Sequence, residues 1–203
     1  RKESSAASDV YKRQLREGGI EEPFEVQRKT IPEALLGRDV CCRAPTGSGK
    51  TLAFGIPLVS LAAEAKSQRP TSLILTPTRE LAEQIRGVLK PLADSVGLGV
   101  ASVYGGTPYK GQLRRLNQGV EILVACPGRL IDLLDRGALR LEEVGIVVLD
   151  EADRMADMGF MKPVCSILDK CKKNRQTILF SATLDEDVNC LLYTSDAADD
   201  SLR

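Results

Sequence analysis

The sequence feature that most constrains the fold is a glycine-containing segment at residues 44–51, which reads Ala-Pro-Thr-Gly-Ser-Gly-Lys-Thr. It follows a short apolar run at residues 40–42 and precedes a helix-like run at residues 52–65. A strand, a glycine loop and a helix in this order typically bind a polyphosphate, because backbone N–H groups of the loop point inward. A helix that opens near Gly49 adds its unpaired N–H groups and the positive end of its dipole. The segment therefore predicts a phosphate-binding loop.

The residue types in this loop suit a polyphosphate ligand. Gly47 and Gly49 let the backbone curl where a side chain would block the ligand. Lys50 can reach the β- and γ-phosphates, and Thr51 can offer its hydroxyl to Mg²⁺. The general pattern begins with glycine, whereas this segment begins with Ala44. The alternative is an ordinary glycine loop, but Gly-Lys-Thr at a predicted helix start favours the phosphate site.

The composition limits the classes of protein to which this chain can belong. Its 203 residues suffice for one α/β domain, and its formal net charge of +0 means that nucleic-acid binding would need a local basic patch. Histidine is absent and none of the six cysteines forms a Cys-x-x-Cys pair, so we expect no zinc site. No apolar run approaches the length of a membrane span, so we expect a cytoplasmic protein without membrane association. Catalysis would then use carboxylates, lysine, arginine, hydroxyls and a bound ion.

Short apolar runs alternate with helix-like segments, and each run predicts a buried strand. The runs lie at residues 40–42, 73–75, 100–104, 122–124, 146–149 and 177–180. Predicted helices include one that carries Pro23 in its first turn, one that Thr78 caps and one that begins at Pro127. The alternation predicts a three-layer α/β fold, with a parallel sheet covered by helices on both faces. Ligands of such sheets lie beyond the carboxyl ends of the strands, where the polar clusters of this sequence fall.

Acidic and hydroxyl residues follow two of the predicted strands. Asp150 directly follows an apolar run, so it should be held rigidly and can bind Mg²⁺ opposite the phosphate loop. Glu151 suits a general base that orients an attacking water. Asp153 is predicted to bond the hydroxyl of Ser181 or Thr183, in the Ser-Ala-Thr segment that ends the last strand. The alternatives are an acidic turn after one strand and a capped end of another.

A different set of residues at strand ends favours contact with a nucleic-acid backbone. It comprises Arg79, the pair Gly105 and Gly106, and Arg129. Backbone N–H groups at glycines and helix starts, with arginine beside them, can bind a sugar-phosphate chain without reading its bases. Each arginine taken alone would be a solvated surface charge, but the set at strand ends favours backbone binding.

The combined motifs resemble those of the first RecA-like core domain of DEAD-box ATP-dependent RNA helicases, a P-loop NTPase domain, from about residue 15 to residue 188. Seven motifs in the same order make this resemblance highly specific, and the Ala44 start of the loop is typical of the family. The motifs are the adenine-recognition segment ending in Gln27, the loop at 44–51, Pro77-Thr78-Arg79-Glu80-Leu81, Gly105-Gly106, Pro127-Gly128-Arg129, Asp150-Glu151-Ala152-Asp153 and Ser181-Ala182-Thr183.

The resemblance implies ATP and Mg²⁺ as cofactors and RNA, bound by its backbone, as a partner. It implies that the nucleotide is bound by the adenine-reading Gln27 and by Ala44, Thr46, Gly47, Ser48, Gly49, Lys50 and Thr51. It implies RNA contacts at Pro77, Thr78, Arg79, Gly105, Gly106, Pro127, Gly128 and Arg129. The implied metal ligands are Thr51 and Asp150, and the implied catalytic residues are Lys50, Asp150 and Glu151. The residues implied to couple ATP hydrolysis to RNA are Asp153, Ser181 and Thr183.

The sequence departs from the family pattern in three places. Cys126 stands where the family usually has threonine, which removes a hydroxyl contact to RNA. Position 10 is valine, so the upstream aromatic that usually stacks on adenine has no counterpart there. The second core domain, which in the family supplies the arginines that reach the γ-phosphate, is expected to be missing from this chain. A missing arginine finger slows hydrolysis by several orders of magnitude.

The sequence predicts three regions and leaves two functions open. We predict a disordered or non-native leader at residues 1–14, the nucleotide-binding domain at residues 15–189 and a disordered or non-native tail at residues 190–203. The first function is ATP hydrolysis coupled to RNA unwinding in the full-length protein. The second is a nucleotide- and RNA-binding module with negligible turnover. A small P-loop kinase would need a lid and an acceptor pocket, and the sequence indicates neither.

Overall fold

Helices and strands alternate along the chain in a computed structural model, which describes residues 22–45, 47–184 and 188. The helices are α1 (Glu25–Leu35), α2 (Lys50–Leu61), α3 (Arg79–Asp94), α4 (Tyr109–Gln118), α5 (Pro127–Asp135), α6 (Ala152–Asp157) and α7 (Met161–Leu168). The strands are β1 (Val40–Arg43), β2 (Ser72–Leu75), β3 (Val100–Val103), β4 (Ile122–Ala125), β5 (Ile146–Leu149) and β6 (Gln176–Ser181). Thr46 and the predicted leader and tail lie outside the described residues.

The six strands form one sheet in the order β1-β6-β5-β2-β4-β3, and every neighbouring pair is parallel. All six predicted strands are present, and the predicted parallel sheet is confirmed. Strands β5 and β6 lie between β1 and β2, although they follow both in sequence. All carboxyl ends therefore meet at one edge of the sheet, which we call the carboxyl edge.

The two faces of the sheet pack against separate layers of helices, as predicted. Successive side chains of a strand point to opposite faces, so Leu73 and Leu75 of β2 belong to one core cluster and Ile74 belongs to the other. The first cluster includes apolar residues from α4, α5, α6 and α7. The second includes residues from α1, α2 and α3, among them Phe54, whose ring centroid lies 5.6 Å from that of Phe180 in β6.

Burial explains why the strands appear in the sequence as apolar runs rather than as alternating patterns. Every residue of β2, β4, β5 and β6 is buried, as expected for a parallel sheet that is covered on both faces. Strand β1 is an outer strand of the sheet, with a neighbour on one side only, and its residues alternate between half-buried and exposed. The strands therefore form a rigid base for the polar residues that follow them.

Local hydrogen bonds set the helix starts, and one predicted start is wrong. Helix α1 begins at Glu25, so Pro23 precedes the helix instead of lying in its first turn. The backbone N–H of Phe24 donates to Gln27 Oε1 at 3.0 Å, and this bond caps the helix. The predicted cap of α3 is present, because Thr78 Oγ1 accepts the backbone N–H of Leu81 at 3.3 Å.

The helix after the phosphate loop also differs from its predicted bounds. It spans Lys50–Leu61 instead of residues 52–65. The early start follows from Gly49, which adopts the left-handed conformation with φ of 80° and leads directly into the first turn. Beyond the helix end, the Ala63 carbonyl accepts a hydrogen bond from Thr71 Oγ1 at 2.6 Å, which directs the chain toward β2.

Candidate functional site

The loop between β1 and α2 is shaped by two glycines with positive φ. Gly47 and Gly49 have φ values of 82° and 80°, a region that favours glycine. The backbone N–H of Ala44 donates to the Ser181 carbonyl at 3.0 Å, so the loop starts in register with the end of β6. Ser48 Oγ is shielded from solvent and makes no hydrogen bond within the described part of the chain. The loop thus presents a polar atom that a phosphate oxygen can engage.

The loop lysine lies against the acidic end of β5. Lys50 Nζ is 2.9 Å from Asp150 Oδ1 and 3.4 Å from Glu151 Oε1. All three residues are buried, and Asp150 is 1% exposed. Burial raises the pKa of the Asp150 carboxyl, and the charge of Lys50 opposes that shift. The predicted approach of the phosphate loop to the acidic strand end is therefore present, with Thr51 half-buried in the same first turn of α2.

Glu151 is held in an unusual backbone conformation. Its φ of 54° and ψ of 53° place it in the left-handed region, which costs a residue with a side chain about 1–3 kcal/mol. Its carboxylate contacts Lys50 and also accepts a hydrogen bond from Arg154 Nη1 at 3.3 Å. Sequence reasoning missed Arg154, although its position three residues after Glu151 was a usable signal, because side chains at that spacing meet on a helix. These contacts fix the direction of the Glu151 side chain.

Gln27 is buried in helix α1, and its side-chain amide is held by two hydrogen bonds. Its Nε2 donates to the Gly49 carbonyl at 3.0 Å, while its Oε1 accepts the Phe24 N–H. A Cβ atom on Gly49 would lie 2.7 Å from Gln27 Nε2 and 2.6 Å from Phe24 Cδ2. An amide has two donor hydrogens and two acceptor lone pairs, so one of each remains for a ligand. The predicted contact with adenine stays a prediction.

Asp153 links the acidic segment to the end of β6, as predicted. Its carboxylate Oδ2 accepts the backbone N–H groups of Ala182 and Thr183, each at 3.2 Å. Its own backbone N–H donates to Ser181 Oγ at 3.1 Å. The predicted bond between Asp153 and the hydroxyl of Ser181 is therefore present, with the Asp153 main chain as its donor. The Asp153 carboxylate adds two bonds to the main chain of the same segment, so the two segments are joined at three points.

The sheet order divides the predicted site residues into two groups. We call the ends of β1, β6 and β5 the phosphate-loop half of the carboxyl edge, and the ends of β2, β4 and β3 the double-glycine half. Among the described residues, the phosphate-loop half holds the predicted metal, catalytic and coupling residues and the predicted nucleotide-binding residues of the loop, with Gln27 of α1 packed against it. The double-glycine half holds the predicted RNA-binding residues, which are Pro77, Thr78, Arg79, Gly105, Gly106, Pro127, Gly128 and Arg129.

Exposure differs among the predicted RNA-binding residues. Arg79, Gly105, Gly106 and Gly128 are exposed, whereas Pro77 and Pro127 are buried and support the helix starts behind them. The Arg79 guanidinium carbon lies 5.3 Å from the centroid of the Tyr104 ring. The structure thus brings one exposed arginine and three exposed glycines to this half of the edge.

Arg129 is enclosed in the structure, and its predicted contact with RNA stays a prediction. Its side chain is 9% exposed, and Nη1 donates to the Thr107 carbonyl at 3.1 Å. The guanidinium also lies over the ring of Tyr109. Its contacts are therefore directed into the protein, toward the loop that carries Gly105 and Gly106.

A family described as "DEAD/DEAH box helicase" matches residues 24–191 of the chain. The chain belongs to this family. It is 46% identical over 176 residues to "DEAD-box ATP-dependent RNA helicase 9" of Oryza sativa subsp. japonica, covering 84% of this chain and 28% of that protein. It is 45% identical over 175 residues to "RNA helicase CrhR" of Synechocystis, covering 86% of this chain and 35% of that protein. The chain thus spans about a third or less of the length of these relatives.

Solved structures of DEAD-box proteins share the fold. A hypothetical ATP-dependent RNA helicase from Sulfolobus tokodaii superposes with a TM-score of 0.83 at 41% identity, over 92% of this chain and 54% of that one. A DEAD box protein from Methanococcus jannaschii superposes with a TM-score of 0.81 at 40% identity, over 87% of this chain and 48% of that one. The RecA-like architecture predicted for this DEAD-box chain is therefore confirmed. None of its described helices is long and apolar enough to span a bilayer.

Two further residues of this DEAD-box domain bear on the double-glycine half. Gln112 is 6% exposed, and its Nε2 donates to the Tyr104 carbonyl at 3.1 Å, which holds the loop before Gly105. Sequence reasoning missed Gln112, because a glutamine inside an amphipathic helix gives no local signal of burial. Cys126, the departure from the usual threonine, is half-buried, and burial raises the pKa of its thiol to about 11. It therefore stays a neutral thiol at physiological pH.

Proposed function

We propose that this chain is the ATP-binding domain of a DEAD-box RNA helicase. It binds Mg-ATP at the phosphate-loop half and an RNA backbone at the double-glycine half, and in the full-length protein it couples ATP hydrolysis to duplex unwinding. The observation that carries the proposal is the buried contact of Lys50 with Asp150 and Glu151, at the mouth of a loop with two left-handed glycines.

The donors at the phosphate-loop half fit a magnesium nucleotide. Lys50 lies buried between two carboxylates, and burying these ionised groups has a desolvation cost. Phosphate oxygens for the lysine and a divalent cation for the carboxylates would offset that cost. Lys50 would bind phosphate oxygens, while Thr51 and Asp150 would hold Mg²⁺. Ser48 Oγ has no hydrogen bond within the described residues, and a Cβ atom on Gly47 would meet none of them within 4 Å, which leaves a partner and room for a ligand at the loop. Bound Mg²⁺ neutralises charge that develops on the transferring phosphoryl group.

We propose that Glu151 acts on the attacking water. Its carboxylate is fixed by Lys50 and Arg154, so it can accept a hydrogen bond from a water aligned with the γ-phosphate. The water oxygen forms the new bond to γ-phosphorus, and the bond from γ-phosphorus to the bridging oxygen breaks. The products are ADP and inorganic phosphate, with the proton of the water taken up through Glu151.

The glycines at the double-glycine half support the proposed RNA contact. Gly105 and Gly128 have ordinary φ values, and a Cβ atom on either would meet nothing within 4 Å. Neither backbone conformation nor packing inside the domain therefore requires glycine at these positions. The missing side chains leave room for a chain that approaches from outside, close enough for backbone N–H groups to bind phosphates.

The second candidate function is a nucleotide- and RNA-binding module with little turnover. It is favoured by the share of the relatives' length that the chain spans, 28% and 35% for the two relatives described above. The rate of ATP hydrolysis with and without RNA separates the two candidates. Vigorous RNA-stimulated hydrolysis by this chain would favour the first, and tight nucleotide binding without it would favour the second.

Nucleotide binding tests the site itself. We expect a fluorescent ATP analogue to bind the chain in the presence of Mg²⁺, and Lys50→Ala to weaken that binding by more than about 100-fold. Glu151→Gln should keep the affinity and stop residual hydrolysis, because it preserves the shape but not the base. Lys90→Ala, which removes an exposed lysine paired with Asp94, is the matched control and should change neither. Unchanged affinity in Lys50→Ala would refute the site.

A further inference from the structure

The loop at residues 104–108, between β3 and α4, is held by side chains from two helices. Gln112 of α4 bonds the Tyr104 carbonyl and, at 2.5 Å, Thr107 Oγ1. Arg129 of α5 bonds the Thr107 carbonyl on the other side of the glycine pair. Gly105 and Gly106 lie between these anchors, and Gly106 has a φ of 77°. The orientation of the exposed glycines therefore depends on how firmly the anchors are held.

Arg129 is itself held by an aromatic side chain. Its guanidinium carbon lies 4.1 Å from the centroid of the Tyr109 ring, and the guanidinium carbon of Arg136 lies 4.6 Å from the same centroid. The Tyr109 hydroxyl donates to Asp132 Oδ2, and Arg136 Nε donates to Asp132 Oδ1 at 2.9 Å. We call these four side chains, Tyr109, Arg129, Asp132 and Arg136, the tyrosine clamp.

The charges of the tyrosine clamp favour the contacts among its four side chains. Hydrogen bonds from Tyr109 and then from Arg136 lower the pKa of the Asp132 carboxyl, so the group is ionised at neutral pH. The ring of Tyr109 attracts two cations through its π face, and its hydroxyl contacts the one anion. Tyr109 is thus the member that contacts all three charged side chains.

We propose that Tyr109 is a positioning residue, which holds Arg129 against the loop of Gly105 and Gly106 and thereby fixes that loop for binding an RNA backbone. The inference rests on the proposed RNA binding. A loop with two adjacent glycines samples many conformations, so ordering it before the ligand arrives lowers the entropy lost on binding. Arg129 then acts on RNA through the loop, which accounts for its enclosed side chain.

The test is binding of a fluorescein-labelled oligouridylate to the chain, measured by fluorescence anisotropy at several salt concentrations. Tyr109→Leu keeps an apolar side chain against the core but removes the ring. We expect it to weaken RNA binding about tenfold, because two cation–π contacts are lost. The slope of log affinity against log salt should stay unchanged, because the substitution removes no charge. Tyr109→Phe keeps the ring and should weaken binding by less than about threefold.

Two controls distinguish positioning from contact and from general destabilisation. Arg79→Ala removes an exposed cation and should reduce the salt slope by about one, which Tyr109→Leu should not do. Phe160→Leu removes an aromatic side chain that packs against the same core cluster as Tyr109, and it should leave RNA affinity unchanged. A merely structural role for Tyr109 would lower the melting temperature and leave RNA affinity below that temperature unaltered.

Hydrogen exchange of the loop amides supplies an independent readout. We expect faster exchange at residues 104–108 in Tyr109→Leu and in Asp132→Asn, which loosens the clamp from its more exposed side without altering the core. Unaltered RNA affinity in a folded Tyr109→Leu, or unaltered loop exchange in Asp132→Asn, would overturn this inference alone. Failure of the unaltered chain to bind the oligouridylate would overturn the proposed RNA binding as well.

Discussion

The two halves of the carboxyl edge differ in the burial of their residues and in the contacts that hold them in place. At the phosphate-loop half Lys50, Asp150 and Glu151 are buried, and the lysine forms ion pairs with both acids inside the protein. At the double-glycine half Arg79 and three glycines are exposed, and enclosed side chains from the helices behind them set the conformation of the loop. Under the proposed function, the nucleotide site is organised by buried ion pairs, whereas the RNA-binding surface is ordered by side chains of the helices behind it.

The largest expected effect lies at the phosphate-loop half. Lys50→Met leaves two buried carboxylates without their shared cation, so we expect the free energy of unfolding to fall by about 3 kcal/mol. Urea denaturation at neutral pH measures the change. Lys90→Met breaks an exposed pair with Asp94 and should lower stability by less than about 0.5 kcal/mol. Equal losses in the two variants would remove the distinction between buried and exposed charges.

Gly49→Ala should have the next largest effect. The new Cβ atom would lie 2.7 Å from Gln27 Nε2, and the positive φ disfavours any side chain, so we expect a loss of about 2 kcal/mol in stability. Nucleotide affinity should fall as well, because Gln27 and the loop can no longer pack together. Thermal denaturation and titration with a fluorescent ATP analogue measure these effects. Gly37 also has a positive φ, but a Cβ atom there would meet nothing within 4 Å. Gly37→Ala is therefore the control that measures backbone strain without the clash.

Gly128→Ala should separate stability from RNA binding at the double-glycine half. Glycine inside a helix is about 1 kcal/mol less favourable than alanine, and the new methyl group meets nothing within 4 Å, so stability should rise by about that amount. Affinity for a single-stranded RNA should nevertheless fall several-fold, because the methyl group would occupy the space that we propose for the RNA backbone. Gly87→Ala, in the middle of α3, should give the same stabilisation with unaltered RNA affinity. Tighter RNA binding by Gly128→Ala would contradict the open-surface interpretation.

The smallest expected effect concerns a carboxylate behind the double-glycine half. A hydrogen bond from Arg86 and a further one from Ser102 lower the pKa of Glu83 to about 2. The folded pKa lies below the unfolded one, so Glu83 stabilises the fold above about pH 4.5, and this contribution is lost as the pH falls toward 2. Glu83→Gln should lower stability at neutral pH by about 1 kcal/mol or less, since the carboxylate is partly exposed.

Denaturation of the wild type and of Glu83→Gln at several pH values measures this contribution. The difference between the two proteins should shrink steadily between about pH 4.5 and 2. A difference that stays constant over this range would assign the effect to packing of the side chain instead of its charge.

The parts of the fold and site that could be predicted from the sequence are those set by local pattern. The run at residues 146–149 is apolar throughout, and an acid follows it directly. Both strand β5 and the position of Asp150 could therefore be predicted from the sequence. The loop at residues 44–51 likewise carries its own conformational signal in its glycines. These features depend on neighbours in sequence, which a pattern records.

The parts that the sequence did not predict depend on contacts between distant segments. Gln27 is buried because Gly49, 22 residues away, offers its carbonyl at that point. Arg129 is enclosed because the loop at Thr107 and the ring of Tyr109 come from a different helix and strand end. Sequence periodicity cannot predict these contacts, because they depend on how several helices and loops pack together.

The main-chain bonds of Asp153 have a consequence for which substitutions the chain tolerates. Because the carboxylate holds the N–H groups at positions 182 and 183, any amino acid except proline supplies the same donors there. Among the described residues, the Thr183 hydroxyl takes no part in this junction, whereas the Ser181 hydroxyl does. The junction should therefore tolerate a change of side chain at position 183 better than one at position 181.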